Sequence, residues 1–246
     1  MPITHIFFDL HGTMVNAQVL GACISRERAR WLAEHYGGNL AVWLTSERQV
    51  IADWDAYHAD LNFSGDDGMR DYYEAGYRIV RALFRGAGVS EPSREEIHRL
   101  ALDLPGLTSL ACDTLYFDVK PTVRRLAAEG YTLGVTTHSL ANQAHAVLVG
   151  GGVRECFSGP LIGADTAEQF DKDATYYALV VRLAKTLPAS CLIVDNSSSA
   201  IQAAHSVGLK TIYIHRVGSP HPVTVPDTDA TLTDFTALLD IVHRGG

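Results

Sequence analysis

The chain has 246 residues, 47% of them hydrophobic and 20% charged, which is enough to bury a full core and to hold one large domain or a core with a smaller inserted one. Its net charge of −8 argues against nucleic-acid binding, which favours basic surfaces. No apolar run approaches the roughly 20 residues that span a bilayer, and the first residues lack the basic-then-apolar pattern of a secretory leader. A cytoplasmic protein without membrane or nucleic-acid partners, working as a monomer or homodimer, is therefore expected. Cys23, Cys112, Cys156 and Cys191 are widely spaced with no C-x-x-C pair. They are expected as small buried thiols in a reducing compartment, not as disulfides or zinc ligands.

The run Ile3 to Leu10 is short, aromatic and β-branched, and reads as a buried parallel strand. The texture from about 17 to 105 is helical. Ser25 is placed as the cap of a helix running through Trp31 and His35 to Gly37-Gly38, and a second helix covers Ser46 to Leu61. A third spans Gly68 to Arg85, with Tyr72, Tyr73, Tyr77, Val80 and Phe84 at helical spacing and Gly86 and Gly88 closing it. The tyrosine stripe is expected in the core of this helical block. Ser93 and Glu96 form a capping-box pattern opening a fourth, shorter helix.

Beyond residue 112 helix and strand alternate. Helices are expected over 120–130, 141–150, 173–186, 198–207 and 233–243, with strands over 131–136, 161–162, 191–194 and 210–214. Such alternation builds a parallel sheet with helices on both faces. The first strand joins that sheet, so the core comprises 1–16 and 106–246. The segment 17–105 is an insertion over the sheet's carboxyl edge, the edge where open α/β sheets bind ligands.

Four strand or loop ends carry chemistry. The first strand ends in Phe8-Asp9-Leu10-His11-Gly12-Thr13. The second ends in Val135-Thr136-Thr137-His138-Ser139, whose hydroxyls beside a helix start can hold a phosphate oxygen or simply cap the helix. Lys172, between Asp171 and Asp173, would be solvated in isolation. Beside a phosphate it could hold a nucleophilic carboxylate in its charged form. Val194-Asp195-Asn196-Ser197 ends another buried strand in an acid, and two carboxylates at adjacent strand tips suit Mg²⁺.

These four motifs, in this order, resemble those of the haloacid dehalogenase (HAD) superfamily, of the type with a helical cap inserted after the first motif. The resemblance covers nearly the whole chain, including Ala203-Ala204, Gly208 and Asp229-Ala230-Thr231. It implies a HAD-like Rossmannoid three-layer α/β fold with a parallel sheet and an inserted α-helical cap. It also implies a Mg²⁺-dependent phosphatase acting on a small phosphorylated metabolite. In that reading Asp9 attacks phosphorus to give an aspartyl-phosphate. Thr137, His138 and Lys172 bind the phosphoryl group, and Asp9, the His11 carbonyl, Asp195 and Asn196 surround the metal.

The sequence departs from the family at several points. The second acid of D-x-D-G-T is His11, which with an unperturbed pKa of about 6.5 could serve as general acid and then base. His138 stands where Asn is common, Asp173 where proline follows the lysine, and Ala200 where an acid often lies five residues after Asp195. The phosphonate hydrolase branch, which uses a cap lysine, is disfavoured because 17–105 contains none. A 2-haloacid dehalogenase-like carbon–halogen hydrolase stays open because His11 is not Asp, although Asp195 speaks against it. A binding protein that kept the fold without catalysis also stays open.

Overall fold

A computed structural model describes residues 1–65 and 67–244. Six parallel strands lie in the order β3-β2-β1-β4-β5-β6: β1 (His5–Phe8), β2 (Thr132–Thr136), β3 (Leu161–Ile162), β4 (Cys191–Asp195), β5 (Lys210–Ile214) and β6 (Ala230–Leu232). Successive side chains on a strand point to opposite faces, and here both faces are apolar. Ile6, Phe8, Leu192 and Val194 enter one buried cluster, whereas Phe7, Cys191 and Ile193 enter another on the opposite side. A strand buried on both faces reads as a continuous apolar run, which is why no polar alternation marks β1 or β4.

Helices cover both faces. α5 (Val119–Ala128), α6 (Ala141–Gly150) and α10 (Leu238–Arg244) pack into the first cluster. α8 (Ala174–Ala184) and α9 (Ser198–Ser206) pack into the second, through Tyr176, Tyr177, Val180, Ala200 and Ala204. A short α7 (Ala164–Ala167) precedes the loop that carries Lys172. Between β1 and β2 come α1 (Ala17–Tyr36), α2 (Leu40–Ala52), α3 (Gly68–Ala87) and α4 (Arg94–Ser109), which build their own core from Leu32, Trp43, Val50, Leu83, Phe84 and Leu100. This segment touches the elements at the carboxyl edge of the sheet: Asn142 Nδ2, in the first turn of α6, donates to the Leu102 carbonyl of α4 at 2.8 Å, and Ser64 Oγ, in the loop before α3, donates to Asp171 Oδ1 at 3.2 Å.

Several boundaries differ from expectation, each because a side chain serves another purpose. Asn16, not Ser25, caps α1 by accepting from the amides of Gln18 and Val19, so the helix starts nine residues earlier. Asn39 caps α2, which begins at Leu40, six residues before the expected start at Ser46. Ser46 is buried inside that helix and donates to the Leu83 carbonyl at 2.8 Å, with Gly86 packed against it: a Cβ on Gly86 would lie 2.4 Å from the Ser46 hydroxyl. Gly86 is therefore a close-approach site between α2 and α3, and Gly88, in the left-handed region, ends the helix. The second helix stops at Ala52, with a 3₁₀ turn over Trp54–Tyr57 beyond it. Ser93 does cap α4 through the Glu96 amide, and α4, which continues past Pro105 to Ser109, is at 16 residues shorter than α3 at 20, as expected. The last helix begins at Leu238 instead of Thr233, after the short strand β6.

The cysteine expectation is overturned for one pair. Cys23 on α1 and Cys112, just after α4, form a disulfide across 89 residues, with Cα atoms 6.0 Å apart. Wide spacing in sequence suggested independence, but α1 and α4 are packed neighbours, so both ends of the inserted segment meet. Cys156 and Cys191 are buried free thiols, as expected. Because disulfides persist in oxidising surroundings, the cysteines no longer argue for a reducing compartment. Among the described residues no helix is long and apolar enough to cross a membrane.

Candidate functional site

Register brings the first, second and fourth motifs to one edge. Phe8 lies opposite Val135 on one side and Val194 on the other, so the residues that follow all three emerge together. Asp9 is fixed by its amide, which donates to the Val194 carbonyl at 2.9 Å. Asp9 and Asp195 are buried, at 5% and 0% exposure. Lys172 arrives from the loop before α8, whose first turn is capped by Asp173 accepting from the Tyr176 amide. Its ammonium donates to Asp9 Oδ1 at 2.8 Å and to Asp195 Oδ2 at 2.6 Å, and points at the Thr136 carbonyl at 3.5 Å.

This cluster holds two carboxylates and one ammonium, all out of water. Desolvation opposes charge on each of them, and only the attraction of opposite partners offsets it. Asp195 is pushed up to about 6 by its burial and by the nearby Asp9, although Lys172 and the Ser197 amide pull the other way. Lys172 is raised above its ordinary value, because the two carboxylates outweigh its burial. Asp9 Oδ2 is buried without a hydrogen-bond partner. The cluster is thus short of positive charge and has a buried carboxylate oxygen without a partner, the setting in which a cation would be welcome. Among the described residues no group of three or more His, Cys, Asp or Glu side chains gathers into a metal site. Any cation here would rest on two carboxylates and backbone or amide oxygens.

The turn after β1 is held tightly. Gly12 has φ +81°, and a Cβ there would sit 2.4 Å from Asn196 Nδ2, so the turn and its contact with the fourth motif both demand glycine. Thr13 Oγ1 donates to Asn196 Oδ1 at 3.3 Å, tying first and fourth motifs together. His11 faces Asp9 and Lys172. Burial, helped by Lys172, lowers its pKa below the ordinary 6.5, with Asp9 acting in the opposite sense. Thr137 is fully buried, with its amide on the Ile162 carbonyl and its hydroxyl accepting from the Ser139 amide at 3.2 Å. His138 is pushed down to about 4, chiefly by burial and then by Lys172, and its ring stacks on Phe170 with centroids 4.9 Å apart. All seven residues singled out from sequence, Asp9, His11, Thr137, His138, Lys172, Asp195 and Asn196, therefore lie on adjoining loops at this one edge.

Sequence reasoning missed Arg216 and Asp118. Arg216 follows β5 by two residues and is 5% exposed; its Nε and Nη2 donate to the Thr13 carbonyl at 3.1 and 2.7 Å, and Nη1 to Asp118 Oδ2 at 2.7 Å. The guanidinium is sandwiched by Tyr116 and Phe235, at 4.2 and 4.9 Å from their ring centres. It anchors the first-motif turn from behind. The available signal was a charge at the end of an apolar strand, the same signal that drew attention to Asp9. The tyrosine stripe also divides. Tyr77 packs on the helical core and stacks on His98, as expected, but Tyr72 and Tyr73 face a cavity between the helices and the sheet edge.

A parallel sheet with helices on both faces, and with acids and a lysine converging at its carboxyl edge, defines a Rossmann-like α/β protein with its charged cluster where such sheets bind ligands. The chain belongs to the haloacid dehalogenase-like hydrolases: the family pattern matches residues 3–208. It is 30% identical over 129 residues to a phosphoglycolate phosphatase from Haemophilus influenzae, a match spanning 52% of this chain and 57% of that protein, so somewhat over half the relative's length. A phosphoglycolate phosphatase from Pectobacterium atrosepticum is 28% identical over 171 residues, spanning 67% of this chain and 71% of that protein. The fold superposes on a 2-haloacid dehalogenase from Pseudomonas syringae with a TM-score of 0.64 at 19% identity, covering 99% and 100% of the two chains.

Proposed function

We propose that this hydrolase is a Mg²⁺-dependent phosphatase of small phosphorylated metabolites, with residues 17–105 serving as a cap over the site. The observation that carries the reading is the buried Asp9–Lys172–Asp195 cluster, which has one cation too few and an unpartnered Asp9 oxygen. The phosphatase relatives lend it support.

The residues fit a divalent ion: Asp9, Asp195 and the His11 carbonyl would hold it, with Asn196 beside them. When bound, Mg²⁺ would neutralise charge on the phosphoryl oxygens. Lys172, donating to Asp9 Oδ1 at 2.8 Å, holds that carboxylate in place, so that it can attack phosphorus as the bond to the leaving oxygen breaks. The Thr137 hydroxyl and the amides after it hold phosphoryl oxygens through the transition state. His11 occupies the motif position from which members of this family protonate the leaving oxygen. It starts neutral, and the approach of a phosphate dianion favours its taking up a proton, which it then passes to the leaving group. Neutral again, it can draw a proton from the water that cleaves the aspartyl-phosphate, releasing phosphate and restoring Asp9.

A 2-haloacid dehalogenase reading draws on the absence of a second acid at His11. Asp195 opposes it, because an extra carboxylate would repel an anionic haloacid. A panel of phosphate esters and 2-haloacids, assayed with Mg²⁺ and in chelator, separates the two. Ester hydrolysis that stops in chelator supports the phosphatase; halide release in chelator overturns it.

A further inference from the structure

The cavity above the site carries information about the part of the substrate that leaves. It measures about 480 Å³ and is walled by Tyr72, Tyr73, Ile79 and Leu104 from the helices, with Leu140 and Phe170 as its floor. Those two floor residues belong to the loops that carry Thr137 and Lys172, three and two residues away. Phe170 stacks on His138 below and meets Phe63 and Tyr72 above, with ring centres 5.1 and 5.3 Å apart. The cavity thus adjoins the site through Phe170, which stacks on His138, and through the loops that carry Thr137 and Lys172.

Charge decides what can settle there. Arg28 lines the cavity, but both arms of its guanidinium are engaged by Glu47, at 2.6 and 2.8 Å, with Glu47 itself buried. A cation paired this way offers little to a second anion, because binding one would mean giving up the Glu47 partner. The other ionisable residues of the wall are Asp55, an acid, and His58, whose Nδ1 is hydrogen-bonded to the Trp54 carbonyl at 2.7 Å. A carboxylate such as that of phosphoglycolate would lose its water and gain no free cation. An apolar ring would bury its surface against aromatic faces.

Resting on the phosphatase reading, we infer that the natural substrate is a phosphate monoester whose leaving group is uncharged and aromatic or similarly apolar, not a carboxylate-bearing one. The test compares 2-phenylethyl phosphate, ethyl phosphate and phosphoglycolate, three alkyl esters that differ mainly in what occupies the cavity. With Mg²⁺ present, kcat/KM for 2-phenylethyl phosphate is expected to exceed both others by about 10–100-fold, the usual return on burying a phenyl group. Tyr72→Ala should draw the phenylethyl-to-ethyl ratio towards one. Glu47→Gln, by freeing Arg28, should raise phosphoglycolate relative to ethyl phosphate. If phosphoglycolate or ethyl phosphate is used as well as the phenylethyl ester by the wild-type protein, the inference is overturned while the phosphatase reading stands. If none of the three esters, nor acetyl phosphate, is hydrolysed, the phosphatase reading falls and the inference falls with it.

Discussion

Replacing Lys172 by methionine probes the charge balance at the centre of the site. The ammonium lies 2.8 Å from Asp9 and 2.6 Å from Asp195, and all three groups are buried. Methionine keeps most of the volume but leaves two carboxylates facing each other without a counter-charge. Removing one partner of a buried ion pair costs about 3–5 kcal/mol, and that is the loss of unfolding free energy expected at neutral pH in chelator. The pH dependence follows from Asp195, whose carboxyl lies at about 6 in the folded protein against 3.8 ordinarily, and which loses its strongest downward pull in the variant. A carboxyl raised by folding binds a proton in the native state that the unfolded chain does not, so its penalty grows as pH rises through that interval and disappears below it. The deficit of Lys172→Met relative to wild type should therefore be largest at neutral pH and shrink on acidification towards pH ~4. Saturating Mg²⁺ should recover more stability in the variant than in wild type, because the competing ammonium is gone; at a hundredfold excess over Kd the gain is about 2.7 kcal/mol. Urea unfolding curves at neutral and acidic pH, with and without Mg²⁺, measure all three effects. A variant as stable as wild type at neutral pH in chelator, or a deficit that ignores pH, would refute the charge argument.

Asp9→Asn should fold normally but lose all hydrolysis, since an amide cannot act as the nucleophile; turnover at the wild-type rate would remove Asp9 from that role. His11→Ala should slow alkyl phosphate hydrolysis by about 10²–10⁴-fold while sparing esters with good leaving groups, and His11→Asp should restore it. Equal rates for His11→Ala and wild type on alkyl esters would mean the ring is a bystander. Arg216→Met should cost about 3–5 kcal/mol in unfolding experiments by stranding Asp118, and the added change Asp118→Asn should recover much of it. Unfolded protein handled without reductant should titrate two thiols, those of Cys156 and Cys191, and four after reduction; four at the outset would contradict the Cys23–Cys112 bond.

The core of this protein was legible because its signals are local. Apolar runs of strand length at β1, β2, β4 and β5 reveal the sheet, and the residues at their tips reveal the site, since a parallel sheet brings every carboxyl end to one edge. Asp9, Lys172 and Asp195 could be named together because the motifs that carry them follow one another in the order of the family they resemble. Helix starts were less legible. Asn16 and Ser25 are both respectable caps, and only packing decides which polar side chain bonds to a helix end and which, like Ser46, is buried against a neighbouring helix. Arg216 reaching back to the Thr13 carbonyl, the Cys23–Cys112 bond across 89 residues, and Tyr72 and Tyr73 turning from the helical core to face the cavity all depend on contacts between distant segments. The sequence by itself determined the alternation of helices with the first five strands and which chemistry stands at the sheet edge, but not β6 or α7. Only the tertiary structure decided how charges pair within that edge and what shape and polarity lie above it, because both are set by side chains converging from separate elements, at separations that periodicity and local propensity do not encode.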